Sequence, residues 1–257
     1  MGWSFFEGAI DSMSAQYDDI AAQYRQVTES PLRRFIEAYT LEQLVGDVRG
    51  KSVLDLGCGE GFFTRRFRQL GARRVVGVDI SSAMISLAEA EEREHPLGVD
   101  YICADVRDLT DVGEFDIVVA AYLLHYSRTE AEMQQMCTSI VSHLPAGGRF
   151  ITLNENPDQT AEAYAGYEQY GFNKTVASPR REGSEITYWM VSGRELFKFH
   201  AWYFCCQTYE RVLQGAGFNT LTWHPLALDK AGIDTHGVEY WQEYLANPPV
   251  VGLECKV

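Results

Sequence analysis

The chain has 257 residues, a formal charge of −14 at pH 7, and 46% hydrophobic and 12% aromatic residues. That length suits one α/β domain with an elaboration. The acidity excludes a protein that grips phosphate backbones or anionic membranes non-specifically, and no apolar run reaches the roughly 18 residues of a membrane span.

The first residues, Met1 to Glu7, lack the basic start and apolar core of a secretory signal. The six cysteines show no C-x-x-C pair and no histidine at zinc spacing, so no metal site is expected. Cys103 in a strand and Cys137 on an apolar helix face read as small hydrophobes. These features predict a cytoplasmic protein with reduced thiols.

In chain order, Tyr17, Ile20, Ala21, Tyr24 and Val27 recur at helical intervals from Ser14 onward. Pro31 suits the first turn of a second helix, which is expected to turn Leu32, Phe35, Ile36, Tyr39 and Leu44 inward. Arg33 and Arg34 near its start are ordinarily solvated, although a basic group beside a pocket can hold a carboxylate. Val53–Leu56 is a buried parallel strand running into Gly57-Cys58-Gly59-Glu60-Gly61, and Phe63, Phe67 and Leu70 stripe the helix behind it. Three glycines at alternate positions allow a ligand to approach bare backbone. Their spacing is not the G-x-G-x-x-G of dinucleotide sites, which disfavours a nicotinamide-dependent oxidoreductase.

Val75–Asp79 is a second strand ending in an acid, about twenty residues beyond the glycine loop, where α/β nucleoside sites place a carboxylate for ribose hydroxyls. Ser81 or Ser82 caps a helix running to about Arg93. A third strand, Val99–Asp105, ends in Asp105, suited either to an exocyclic amine or to a local loop cap. Phe115–Ala120 is a fourth strand, followed by Ala121-Tyr122-Leu123-Leu124-His125-Tyr126. Ser127–Glu130 has capping-box spacing ahead of a helix with Met133, Met136, Cys137, Ile140 and Leu144 in the core. Arg149–Leu153 is a fifth strand. Five alternations of strand and helix predict a doubly wound, mostly parallel sheet, with its ligand edge at the strands' carboxyl ends.

The alternation breaks at residue 157. Residues 157–204 are dense in aromatics, with Glu185–Val191 and Glu195–Phe204 reading as a hairpin, and are expected to cap the site. Thr208–Gly215 is a helix, Phe218–Trp223 and Val250–Cys255 are closing strands, and Val238–Leu245 is a short aromatic helix.

Val53–Gly61 resembles motif I of the class I S-adenosylmethionine-dependent methyltransferases. Val78-Asp79-Ile80-Ser81, Ala104-Asp105-Val106, Leu144–Phe150 and Leu213-x-x-Ala216-Gly217-Phe218 resemble its later landmarks. Tyr17-Asp18-x-Ile20-Ala21-x-x-Tyr24, Pro31-x-Arg33, Tyr39-Thr40 and Glu239-Tyr240-Trp241 more loosely resemble toxoflavin synthase-type small-molecule methyltransferases. The resemblance implies a Rossmann-like seven-stranded sheet with helices on both faces and an inserted aromatic cap. It implies a lid at 1–48, a cofactor-binding core at 49–156 and 205–257, and a substrate cap at 157–204. The implied cofactor is S-adenosyl-L-methionine, held by Asp55, Gly57, Cys58, Gly59, Asp79, Ile80, Met84, Ala104, Asp105, Val106, Ala121 and Tyr122, with Tyr17, Tyr24 and Arg33 closing over its methionine end.

The implied reaction is methyl transfer to a nitrogen or oxygen of a small, planar or aromatic molecule, as in secondary metabolism. His125 and His200 are the candidate bases. Ala121–Leu124 stands where nucleic-acid amino-methyltransferases carry Asp/Asn-Pro-Pro-aromatic, so no nucleic-acid or membrane partner is expected. A peptide acceptor, or a protein that binds the cofactor without methylating, are the alternatives.

Overall fold

The structure, a computed structural model, describes residues 17–18, 30–192 and 195–257. Seven strands form one sheet: β1 (Ser52–Leu56), β2 (Arg74–Asp79), β3 (Asp100–Cys103), β4 (Ile117–Ala121), β5 (Arg149–Glu155), β9 (Thr220–His224) and β10 (Val250–Lys256). Their order across the sheet is β3-β2-β1-β4-β5-β10-β9. The first five pair in parallel, whereas β10 runs antiparallel to both β5 and β9. Strand order reverses between β1 and β4, and there a crevice opens beyond the strands' carboxyl ends.

β1 and β4 are buried along their whole length, which is why Val, Leu and Ile run through them without polar alternation. One sheet face packs on α4 (Glu130–Ser142) and α5 (Cys206–Ala216), with Met133, Cys137, Ile140 and Leu213 wholly buried. The other face takes α1 (Ala38–Val45) and α2 (Phe62–Gln69) through Leu41, Val45 and Phe67. Each such side chain, removed from water, contributes about 1.5–3 kcal/mol. Between β2 and β3 lies α3 (Ser82–Glu94), capped by Ser81, whose Oγ accepts from the Met84 amide at 3.2 Å.

The capping box ahead of α4 sits two residues later than its sequence pattern suggests. Thr129, not Ser127, caps the helix by accepting from the Glu132 amide, and the Glu132 carboxylate reaches back to the Arg128 amide at 2.7 Å. Thr129→Ala is therefore expected to cost about 1 kcal/mol in urea-unfolding measurements, with Ser127→Ala lacking this cap contribution.

The second helix departs from the regular period expected of it. Residues Arg33–Glu37 form a π-helical turn directly before α1. A π turn inserts an extra residue and rotates the face that follows. Tyr39 and Leu44, expected inside, are half-buried, and Ala38, Leu41 and Val45 take the core positions. The same turn buries Arg33, expected in solvent, and sets its Nε 2.9 Å from Glu37 Oε2.

The second sheet has three strands where two were expected: β6 (Phe172–Val176), β7 (Glu185–Ser192) and β8 (Glu195–Trp202), all antiparallel. β6 escaped detection because its inward face carries Lys174 between Phe172 and Val176, which breaks apolar alternation. A further helix, α6 (Lys230–His236), was also missed, and α7 (Glu239–Ala246) follows it. Gly232 lies inside α6 because a Cβ there would meet Phe35 Cβ at 2.8 Å. The sheet's inner face, α7 and Leu32–Ile36 form a third core of tyrosines and phenylalanines. Cys103, expected as a small core hydrophobe, is exposed at the end of β3. Among the described residues, no helix is long and apolar enough to cross a membrane.

Candidate active site

Two cavities meet at the crevice. The first, about 640 Å³, is bordered by Gly57, Gly59, Asp79, Ile80, Met84, Asp105, Val106 and Ala121. The second, about 650 Å³, lies under the three-stranded sheet. Tyr122 and Tyr126 line both and form the partition.

Gly57 and Gly59 have φ of +70° and +56°, a left-handed backbone that glycine adopts without strain. A Cβ on Gly59 would meet nothing within 4 Å, so its absence leaves bare backbone facing open space. Asp79 closes this cradle: its Oδ2 accepts from the Gly59 amide and its Oδ1 from the Ser81 amide, both at 2.8 Å. Burial raises its pKa, against the pull of those amides. Each oxygen retains acceptor capacity, so the carboxylate can still receive a diol. Asp105 accepts from the Arg107 amide at 2.8 Å and pairs with the Arg107 guanidinium at 2.5 Å, so the local cap is realised while the residue still borders the cavity.

Over this cavity lies Tyr17, whose hydroxyl bonds that of Tyr126. Its neighbour Asp18 accepts from Ser81 Oγ at 2.6 Å and from the Ala83 amide at 3.1 Å, which pins the segment to the start of α3. Asp18 was not singled out from sequence, although an acid at a helix start is a recognisable pairing. Leu123 and Met136 also border this cavity without having been expected there. Met136 follows the core period of α4, so periodicity alone assigns it to packing.

Several residues expected at the cofactor do not border this cavity. Asp55 is buried behind the loop, where its Oδ2 accepts from Thr64 Oγ1 at 2.6 Å and burial raises its pKa to about 7. The Cys58 Sγ turns back toward Gly77 and Tyr101, and burial pushes its thiol well up. Ala104 packs on the main core. Arg33 borders the second cavity rather than the first. Tyr24 lies outside the described residues.

The two histidines separate clearly. His125 borders the second cavity, with Nδ1 3.1 Å from Asn154 Oδ1. His200 sits on the opposite face of β8 from Phe199, paired with Glu185 at 2.9 Å, and is not brought into either cavity. Strand alternation is the reason: Phe197, Phe199 and Ala201 take the inner face, so residue 200 must face out. The second cavity is otherwise walled by Phe172, Tyr188 and Phe199, with Tyr188 stacked on Phe199 at 4.8 Å.

Burial lowers the His125 pKa to about 4, against the opposing pull of Glu155 and the Asn154 bond. A histidine held below its unfolded value stabilises fully above about pH 6.5 and loses that contribution as pH falls toward its folded pKa. Between pH 7 and pH 5 the loss amounts to about 2 kcal/mol. Asp55, raised by burial, acts in the opposite direction over the same window. The effect is therefore read as a difference: relative to His125→Gln, the wild type should lose about 2 kcal/mol between those pH values in urea unfolding. A pH-independent difference would place His125 in a solvated state that titrates as it does in the unfolded chain.

Residues 53–148 match the family described as "Methyltransferase domain". The ubiquinone biosynthesis O-methyltransferase of Coxiella burnetii is 32% identical over 153 residues, spanning 57% of this chain and 64% of that protein. N-demethylindolmycin N-methyltransferase of Streptomyces griseus is 29% identical over 172 residues, 66% of this chain and 70% of that protein. The solved S-adenosylmethionine dependent methyltransferase from Mesorhizobium loti shares the fold with a TM-score of 0.63 at 20% identity, over 90% of this chain and 100% of that one.

Proposed function

We propose that this protein is a class I S-adenosylmethionine-dependent methyltransferase that transfers a methyl group to a nitrogen or oxygen of a small planar or aromatic molecule. The observation that carries the reading is the pair of cavities that meet across Tyr122 and Tyr126. The first suits a nucleoside: bare backbone at Gly59, a carboxylate at Asp79 for ribose hydroxyls, and Met84 and Val106 beside a flat base. Bound there, S-adenosylmethionine supplies an electrophilic methyl on its sulfonium.

The protein's own residues do the rest by placement. Tyr122 has φ +69°, a left-handed backbone costly for an aromatic residue. That conformation sets its ring at the partition, shared by both cavities. Phe172, Tyr188 and Phe199 offer flat faces for stacking an acceptor and excluding water. Alignment of two reactants held this way accounts for much of such a rate enhancement. Residues 157–204 serve in this reading as the substrate cap and the N-terminal segment as a lid. The two named relatives, an O- and an N-methyltransferase of small molecules by their names, support the acceptor class.

Incubation with methyl-labelled S-adenosylmethionine and a panel of nitrogen heterocycles, phenols and carboxylates tests the proposal. Label is expected in a nitrogen or hydroxyl acceptor. Tight cofactor binding with no labelled product in any class overturns it.

A further inference from the structure

We infer that Glu37 is the residue that receives the acceptor, and that the acceptor is an aromatic nitrogen heterocycle presenting an N–H to Glu37 Oε2. The inference rests on the methyltransferase reading above and narrows its substrate. Glu37 lies on the π-helical turn and borders the second cavity. Its residue is 9% exposed, yet Oε2 accepts no hydrogen bond among the described residues. Arg33 Nε stands 2.9 Å away and balances the charge, outside hydrogen-bond geometry. A buried carboxylate oxygen without a donor is costly, and a donor arriving with the substrate removes the cost.

The surroundings select an acceptor that brings its own donor. Three of the cavity's five tyrosine hydroxyls are committed elsewhere, those of Tyr122 and Tyr244 being the others: Tyr170 donates to the Tyr240 carbonyl at 2.5 Å, and Tyr188 donates to Glu155. Tyr126 is bonded to Tyr17. A carboxylate acceptor brings no donor for Glu37 Oε2 and sets a second negative charge against it. An N–H heterocycle needs one acceptor and flat, electron-rich walls, which Glu37 with Tyr188 and Phe199 provide. Arg33, its charge already matched, keeps the site near neutral and so does not favour a free anion.

In the transfer, the acceptor N–H bond breaks and its proton passes to Glu37 Oε2. A second, pyridine-type ring nitrogen uses its in-plane lone pair for the new N–CH3 bond, the electron pair of the broken N–H bond returns to the ring, and the S–CH3 bond breaks with its electron pair left on sulfur as a thioether. The π turn is what makes this available: a regular helix over 33–37 would carry the face past Glu37 at a different angle.

The test uses the full chain loaded with S-adenosylhomocysteine and titrated calorimetrically with imidazole, indole and benzimidazole, each against its N-methyl counterpart. In the wild type at least one N–H probe should bind about 10–100-fold tighter than its N-methyl form, as a charge-assisted hydrogen bond implies. Glu37→Leu should bring that ratio near one, and Glu37→Gln, which keeps the shape, should leave it intermediate. S-adenosylhomocysteine affinity, unchanged in both, certifies folding. With any labelled acceptor found, Glu37→Gln should lower kcat more than it raises KM. An unaltered ratio in both variants overturns the inference, as does a loss of S-adenosylhomocysteine affinity with the ratio intact, or a wild type that binds none of the N–H probes. If the wild type fails to bind S-adenosylhomocysteine at all, the broader reading fails; binding without N–H preference overturns only this one.

Discussion

Lys174→Ala is expected to destabilise the protein by about 3–5 kcal/mol, the cost of leaving a buried charge without its partner. The Lys174 side chain is wholly buried, with Nζ 2.6 Å from Glu155 Oε1 and 2.5 Å from Gln159 Oε1. It also stands 4.1 Å from the centre of the Tyr164 ring. Burial lowers the lysine's pKa, and the neighbouring carboxylate raises it again. Glu155 in turn accepts from the Tyr188 hydroxyl, which borders the second cavity. The pair thus joins the end of β5 to β6 and so fixes the second sheet against the first. Removing only the lysine strands Glu155; removing both charges does not. The double variant Lys174→Met with Glu155→Leu should therefore be less destabilised than Lys174→Ala alone. Urea unfolding at pH 7 measures both, and a loss below about 1 kcal/mol for the single variant would show that the pair is solvated.

Asp79→Ala should weaken S-adenosylhomocysteine binding by about 10–100-fold, equivalent to about 1–3 kcal/mol. Two effects act together. The variant strips the acceptor proposed for the ribose hydroxyls, and it releases the Gly59 and Ser81 amides that the carboxylate now ties down. Asp79→Asn keeps one oxygen and should fall between. Calorimetry at fixed salt provides the measure, with His200→Ala as a neutral control because that residue faces away from both cavities. Unchanged affinity in Asp79→Ala would sink the cradle assignment.

The placement of Asp79 is legible in the amino-acid sequence, because it follows from local pattern. A buried strand, a glycine loop and an acid closing the next strand need only strand order to converge on one edge. Gly57, Gly59, Ile80, Met84, Asp105, Val106 and Ala121 border the same cavity for that reason. Asp55 and Cys58 occupy the same motif, yet side-chain direction within one loop sends them behind it. Spacing along the chain does not encode that direction.

The second cavity was much less legible. Its shape depends on three elements distant in sequence: the turn at 33–37, the inner face of β6–β8 and α7. Lys174 hid β6 from alternation because its partner, Glu155, lies 19 residues away on another sheet. His200 is close to the aromatic segment in sequence but one residue out of phase with the inner face. A period-2 count could have excluded it once the strand's inward residues were known.

What the sequence alone determined was the parallel core and its ligand edge. Those rest on short-range hydrophobic runs, glycine freedom and the right-handed crossover, all carried by neighbouring residues. What only the tertiary structure decided was the acceptor side. The extra residue in the π turn rotates α1 by part of a turn, burying Arg33 and presenting Glu37 to the cavity. Packing against Trp241, Phe35 and the second sheet selects that rotation, and the contacts responsible come from chain segments roughly two hundred residues apart, beyond the reach of any local pattern.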